Sequence, residues 1–405
     1  MKFPEIRTFR VLKNRDYALL WSGQLGHSAS LWVETVARNW LIWELTGSGT
    51  MLAVVNLLRA VPMLIFGVFA GVVADRVDKR KLLIIAKTFT LINKVILATL
   101  IVTGRVEVWH VLLTAFLMGA SMSFEMPTRT ALIPVLVKGE ELNSAIALNS
   151  AAMNGTRIIG PAAAGLLLAP IGTGGVYFVS AGVYIATLIA TIIMRVPPES
   201  RRKSEESMWK DMADGFRYVW NDKQVLTMML LSLIPMVIAW PYMTLLPIIA
   251  DEILHIGSAG YGLMYSAAGA GALVSVLVIA TMPRVPHKGL VTIIATFLFG
   301  IFLIALSWSN VVALSMATMV CIGMVSTGTQ TLTNTVLLTK TPVELHGRVM
   351  GIYRLDRGLM PLGSMAAGAF ADVMGAPPVL LVMGCLCTAL ALIMGIGVPI
   401  VRKID

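Results

Sequence analysis

Gly71-Val72-Val73-Ala74-Asp75-Arg76-Val77-Asp78-Lys79-Arg80-Lys81 is the stretch whose reading decides the fold. An apolar run from about Met51 to Ala70 precedes it, long enough at about 1.5 Å per residue to cross a hydrocarbon core of about 30 Å, and another begins at Leu82. Between two such runs the stretch reads as a tight, charged turn joining two membrane helices. Gly71 lets two backbones come close, and Asp75 sits where a helix ends. Arg76, Lys79, Arg80 and Lys81 do not follow their neighbours into lipid, so the turn marks a cytoplasmic side.

Working outward, apolar runs recur at about 17–45, 51–74, 82–103, 108–127, 142–168, 176–194, 226–249, 262–282, 290–308, 311–332, 349–370 and 379–398. They predict an all-α polytopic membrane protein with twelve spans. A chain of 405 residues with 57% hydrophobic and 13% charged residues is too apolar for a soluble globule and leaves no aqueous domain of useful size. A net charge of +10 would point to nucleic acid in a soluble protein, but here the basic residues fall between the apolar runs. Outside the spans, alternate loops and both termini hold twenty-three Lys and Arg, while the other loops hold only Arg105. That bias places both termini in the cytoplasm, in a multi-pass cell-membrane protein with no nucleic-acid partner. Cys321, Cys385 and Cys387 all lie inside apolar runs, so neither a disulfide framework nor a metal site is expected, and no cofactor motif is present.

The one long polar interruption, 196–221, divides the spans six and six. It gives an N-terminal six-helix bundle over 1–195, a cytoplasmic linker and a C-terminal bundle over 222–405, with an amphipathic helix expected at Met208–Trp220. Weak internal matches share an offset near 205 residues, among them Phe9-Arg10-x-x-x-Asn14 with Phe216-Arg217-x-x-x-Asn221. A parallel repeat of six-span halves places a substrate site between them near the bilayer midplane.

Glu34, Arg38, Arg59, Lys94, Glu125, Arg129, Arg157, Arg354, Asp356 and Arg357 fall within or at the edges of the predicted spans. Facing lipid they would cost about 25–35 kcal/mol together, against a net stability of about 5–15 kcal/mol, so most must face a partner, a wet cavity or the headgroups. His27, Glu34 and Arg38 share one face of the first span. Glu34 reads either as half of a structural ion pair with Arg38 or as a proton carrier that is protonated in one state and paired in another. Glu125 lies four residues before Arg129 and reads as a gate or structural pair, with Pro127 marking an irregular helix end. Asp356 stands between Arg354 and Arg357, either neutralising them or exchanging partners with the Asp75 turn. Proton-coupling candidates are thus Glu34, Asp356 and Glu125, and the bases outnumber the acids, which favours an anionic or oxygen-rich substrate.

The opening stretch closely resembles the loop-2/3 signature of the major facilitator superfamily, Gly-x-x-x-Asp-Arg-x-Gly-Arg-Arg, with Asp78 at the second Gly. The fifth span, Asn149 to Gly165, resembles that superfamily's exporter signature, Gly-x-x-x-Gly-Pro-x-x-Gly-Gly, at Gly155, Gly160, Pro161 and Gly165. Asn14-Arg15-Asp16-Tyr17, Leu45-Thr46-Gly47-Ser48, Pro127-x-Arg129 and Arg157-Ile158-Ile159-Gly160-Pro161 resemble the enterobactin-exporter and macrolide-efflux branch. The resemblance implies twelve helices, alternating access and proton-driven export, with Gly71, Asp75 and Arg76 as the gate turn, joined by Arg80 and Arg129. Substrate-cavity candidates are His27, Arg38, Asn154, Arg157, Arg354 and Arg357. The expectation is a monomeric secondary exporter of a siderophore, macrolide or other drug, not an enzyme; the alternative is a lipid or lysophospholipid flippase or an uptake symporter of the same fold. No phosphate-binding loop is present, so ATP held by this chain is not the energy source.

Overall fold

Asn14 starts the first membrane helix by accepting hydrogen bonds from the Asp16 and Tyr17 N–H groups, and its own amide donates to the Leu136 carbonyl at 2.9 Å. From this cap α1 runs over Arg15–Thr46, followed by α2 (Gly49–Arg76), α3 (Lys79–Val102), α4 (Val108–Leu136) and α5 (Glu141–Ile193). The computed structural model describes residues 7–139, 141–197, 208–282, 285–342, 345–402 and 404, and every regular element among them is helical. Nine helical segments among the described residues are long and apolar enough to cross a membrane. One is α5, which holds two of the expected spans as limbs bent at Gly172, where φ is 66° and ψ is 175°. That left-handed backbone suits glycine, and Pro170 just before it lacks the N–H that a continuing helix needs.

Helix α1 is not among the nine, because its polar residues Gln24, His27, Ser28, Glu34, Arg38 and Asn39 are buried in the bundle rather than replaced by apolar ones. Contacts divide the chain into two units, Met1–Gly47 with Val54–Lys203, and Ser48–Ala53 with Ser204–Asp405. In the first, Tyr17, Leu20, Leu83, Leu132, Ile133, Ala145 and Leu148 form a buried apolar cluster. Two polar ties cross it: Tyr17 Oη donates to the Ala145 carbonyl at 2.7 Å, and Trp21 Nε1 to the Leu148 carbonyl at 2.9 Å. The Asn14-to-Trp21 stretch therefore fastens the start of α1 to the end of α4 and the start of α5.

The second unit opens with α6 (Met208–Asn221), the helix expected in the linker, and α7 (Lys223–Ile234), capped by the Asp222 carboxylate. A helical run continues through α8 (Tyr242–Ile248) to Ile253, with π-helical turns at Pro235–Ala239 and Ile249–Ile253. Prolines 235, 241 and 247 break the regular ladder, and the Trp240 N–H reaches back five residues to the Pro235 carbonyl at 2.8 Å. There follow α9 (Gly257–Thr281), α10 (Lys288–Ser307), α11 (Val312–Lys340), α12 (His346–Arg354), α13 (Asp356–Met374), α14 (Ala376–Gly397) and α15 (Pro399–Arg402). Asp372 near the end of α13 accepts from Ser48 Oγ at 2.8 Å and from the Gly49 and Thr50 N–H groups, which caps the residues that open α2.

Two expectations about helix ends are corrected. Pro127 does not end its helix: α4 continues through Pro127 and Pro134 to Leu136. Membrane helices tolerate proline, and here the Thr128 and Thr130 hydroxyls donate to the Phe124 and Met126 carbonyls, supplying side-chain donors around the missing N–H. The charged turn is also shorter than its composition suggests. Helix α2 stays helical to Arg76, and Asp78 is already the N-cap of α3, its carboxylate accepting from the Lys81 N–H at 3.0 Å.

Candidate functional site

The polar face of α1 meets α3, α4 and the second limb of α5 inside the first unit, and two buried charge clusters form there. In one, Lys94 Nζ of α3 lies 2.5 Å from Glu34 Oε2, and Arg38 Nη1, one turn along α1, lies 3.4 Å from Glu34 Oε1. Lys94 also donates to Ser180 Oγ at 3.1 Å, which shares a 2.7 Å hydrogen bond with Ser30 Oγ. Arg38 Nη2 donates to Asn56 Oδ1 at 3.2 Å, and Arg59 of α2 donates to Thr35 Oγ1 at 3.1 Å.

In the other cluster, His27 Nδ1 lies 2.9 Å from Glu125 Oε1, and Tyr184 Oη donates to Glu125 Oε2 at 2.5 Å. Arg129 Nη1 stands 3.5 Å from Glu125 Oε1, one helical turn on. Lys87 Nζ donates to the Thr187 carbonyl at 3.3 Å and lies within electrostatic reach of Glu125. The two clusters meet at Tyr184: its hydroxyl serves Glu125, while the Lys94 ammonium sits 5.6 Å from its ring centroid. Apart from half-buried Thr35, Asn56 and Arg59, all of these side chains are buried. Removing several ions from water costs several kcal/mol each unless they pair, so the clusters hold together as charge networks.

The predicted residues are placed unevenly. Glu34 and Arg38 do form the expected i, i+4 contact, but the shortest contact of Glu34 is to Lys94, sixty positions away in sequence. His27 shares the α1 face with Glu34 yet joins Glu125 instead. Arg129 pairs with Glu125, and Arg80 donates to the Thr191 and Ile192 carbonyls, tying the start of α3 to the end of α5. The backbone is helical at Gly71, Asp75 and Arg76, whose side chains lie outside the described residues.

On α5, Asn154 is exposed and donates to the Ser150 carbonyl at 2.9 Å, and the Arg157 guanidinium lies 6.0 Å from the Trp32 ring centroid. Gly160 and Pro161 are buried, and a Cβ at Gly160 would fall 2.7 Å from Trp32 Cβ. Gly165 is buried too, whereas Gly155 faces open space. Asp356 begins α13, half-buried; the side chains of Arg354 and Arg357 lie outside the described residues.

Sequence reading did not single out Lys87, Tyr177 or Tyr184, nor join Lys94 to Glu34. The available signal was a second lysine inside the third apolar run: Lys87 and Lys94 are seven apart, with Thr90 between them, all on one helical face. Ser121, in the run Gly119-Ala120-Ser121, donates to the Ala86 carbonyl at 2.8 Å and shares a 2.7 Å bond with Thr90.

Residues 6–404 match the family described as transmembrane secretion effector. The staphyloferrin A transporter of Staphylococcus aureus is 27% identical over 362 residues, which cover 87% of this chain and 89% of that one. The multidrug efflux pump Tap of Mycolicibacterium fortuitum is 24% identical, covering 92% of this chain and 93% of that one. A POT family transporter solved in complex with a thioalcohol-conjugated peptide superposes with a TM-score of 0.77 at 11% identity, over 96% of this chain and 97% of that one, which shows a shared fold. The chain therefore belongs to the transmembrane secretion effector family of the major facilitator superfamily and is a multi-pass membrane transporter of small molecules, not an enzyme.

Proposed function

We propose that this transporter exports an amphiphilic organic compound (a siderophore, a macrolide or another drug) in exchange for protons, by alternating access across the cell membrane. The observation that supports it best is the buried carboxylate pair, Glu34 with Lys94 and Arg38, and Glu125 with His27, Tyr184 and Arg129. Carboxylates kept inside a membrane bundle against basic partners are costly, and their common use is to exchange a proton for a partner during a transport cycle. The relatives described as a siderophore transporter and a multidrug efflux pump support export of an organic molecule. In this reading the halves are 1–195 and 222–405, the linker 196–221 and both termini are cytoplasmic, and the working unit is a monomer. The gate turn is Gly71, Asp75 and Arg76; Asp356 is a further proton carrier, and its flanking Arg354 and Arg357 line the substrate cavity.

The test is efflux from cells expressing the chain, profiled over a panel of macrolides, dyes and siderophores with and without an uncoupler. The expected result is efflux of at least one compound that stops with the uncoupler and in Glu34→Gln. Efflux that survives the uncoupler overturns proton coupling, and accumulation in place of efflux favours the uptake symporter.

A further inference from the structure

A small cavity of about 10 Å³, room for about one water-sized group, lies between α1, α3, α4 and α5, lined by Glu34, Arg38, Asn93, Lys94, Thr114 and Tyr177 together with Leu97, Ala115 and Met118. It is far smaller than the roughly 300–1,000 Å³ that drug-sized ligands fill, so it suits a single small ion or water. Two polar atoms of its lining are buried without a hydrogen-bond partner, Arg38 Nε and Tyr177 Oη. Both residues are among the most buried polar side chains of the unit, at 1% and 2% exposed. The two terminal nitrogens of Arg38 donate to Glu34 and Asn56, so Nε is the guanidinium nitrogen left without an acceptor.

The charge balance points the same way. Glu34 supplies one negative charge against the two positive charges of Arg38 and Lys94 that pair with it. A positive excess in a water-poor bundle is strongly unfavourable without a counter-ion. Unspent donors and unbalanced positive charge together call for an acceptor that carries negative charge.

We propose that this cavity is an anion site, at which Arg38 Nε–H and Tyr177 Oη–H donate to one monovalent anion beside Lys94. The anion is a free halide, and the proposal does not rest on the export reading above.

Full-length protein in detergent, at constant ionic strength, tests the site without any gradient. Thermal unfolding is compared in chloride, bromide and gluconate, the last too bulky for the cavity. Chloride and bromide are expected to raise the unfolding temperature saturably, as any ligand of the folded state does, and gluconate is not. Tyr177→Phe removes one donor with little change of shape and is expected to weaken the apparent chloride affinity by about tenfold or more. Crystals grown in bromide should show its anomalous signal within hydrogen-bonding distance of Tyr177 Oη and Arg38 Nε.

Equal unfolding temperatures in chloride and gluconate, as a cavity filled by neutral water gives, overturn the proposal. So does an anion effect that Tyr177→Phe leaves unchanged. In proteoliposomes, efflux that slows competitively as chloride rises overturns the free halide in favour of the substrate's own anionic group; efflux that chloride leaves unchanged or accelerates supports it. Anion binding that persists in a protein without proton-linked efflux refutes the transport reading alone, and proton-linked efflux without anion binding refutes this site alone.

Discussion

Lys94 Nζ and Glu34 Oε2 stand 2.5 Å apart with both side chains almost fully buried, joining α3 to α1 in the middle of the first unit. Breaking such a pair from one side leaves the other charge in a medium that cannot solvate it. Lys94→Met and Glu34→Gln should each destabilise the protein, by about 3–5 kcal/mol for the loss of a buried partner. The double variant should lose less than the sum of the two, because it removes both members of this pair and leaves only the Arg38 charge without its carboxylate. Thermal unfolding in detergent gives the three values and hence the coupling. Additive losses would mean that the two side chains do not depend on each other.

His27 faces Glu125, Tyr184, Arg129 and Lys87, from α4, α5 and α3. It is the one imidazole in the network, and imidazole is the side chain whose ordinary titration falls between about pH 5 and 8. His27→Gln keeps an N–H to donate to Glu125 but takes up no proton in that range. Efflux should therefore lose its pH dependence between about pH 5.5 and 8 while Glu125 stays paired. A parallel pH profile in wild type and variant removes His27 from the proton path.

Much of the fold was readable because lipid imposes a coarse rule: apolar runs of span length with charged turns between them. The same rule made Glu34, Arg38, Glu125 and Arg129 conspicuous, as charges inside apolar runs. Their partners were not readable. Glu34 and Lys94 are sixty residues apart, and Glu125 and Tyr184 fifty-nine, so no helical spacing links them and only the packing of α1, α3, α4 and α5 brings them together. Tyr177 and Tyr184 sit in apolar surroundings, where a sequence gives no hint that the hydroxyl is the part that matters. Pro127 misled for a related reason: its local rule, that proline ends helices, is overridden where neighbouring helices and threonine hydroxyls support the backbone.

Asp78, which stands where the superfamily signature has glycine, has a local task of its own. Its carboxylate accepts from the Lys81 N–H and caps α3. Asp78→Ala should cost about 1 kcal/mol and Asp78→Gly only a few tenths, since glycine is an acceptable N-cap and alanine is not. Hydrogen exchange at the first turn of α3, Lys79 to Leu82, reads the difference directly. Equal protection in wild type and Asp78→Ala would remove the cap from the account.

Glycines on α4 and α5 separate close packing from mere small size. A Cβ at Gly119 would fall 2.1 Å from the Arg59 carbonyl oxygen, which is backbone and cannot step aside, and one at Gly160 would press on Trp32 Cβ. Gly155 has nothing within 4 Å. Gly119→Ala should therefore force α4 from α2 and cost about 1–3 kcal/mol, as overpacking does, and Gly160→Ala should do the same to α5 against α1. Gly155→Ala should be neutral or slightly stabilising, because alanine is the better helix former. The folded fraction after heating, read by size exclusion in detergent, ranks the three. Because Gly119 packs against the residue that carries the Arg59 guanidinium, its variant should also disturb the charge around Glu34, and lower efflux more than Gly160→Ala at equal loss of stability. Equal losses of efflux at matched stability would mean that Arg59 contributes packing alone.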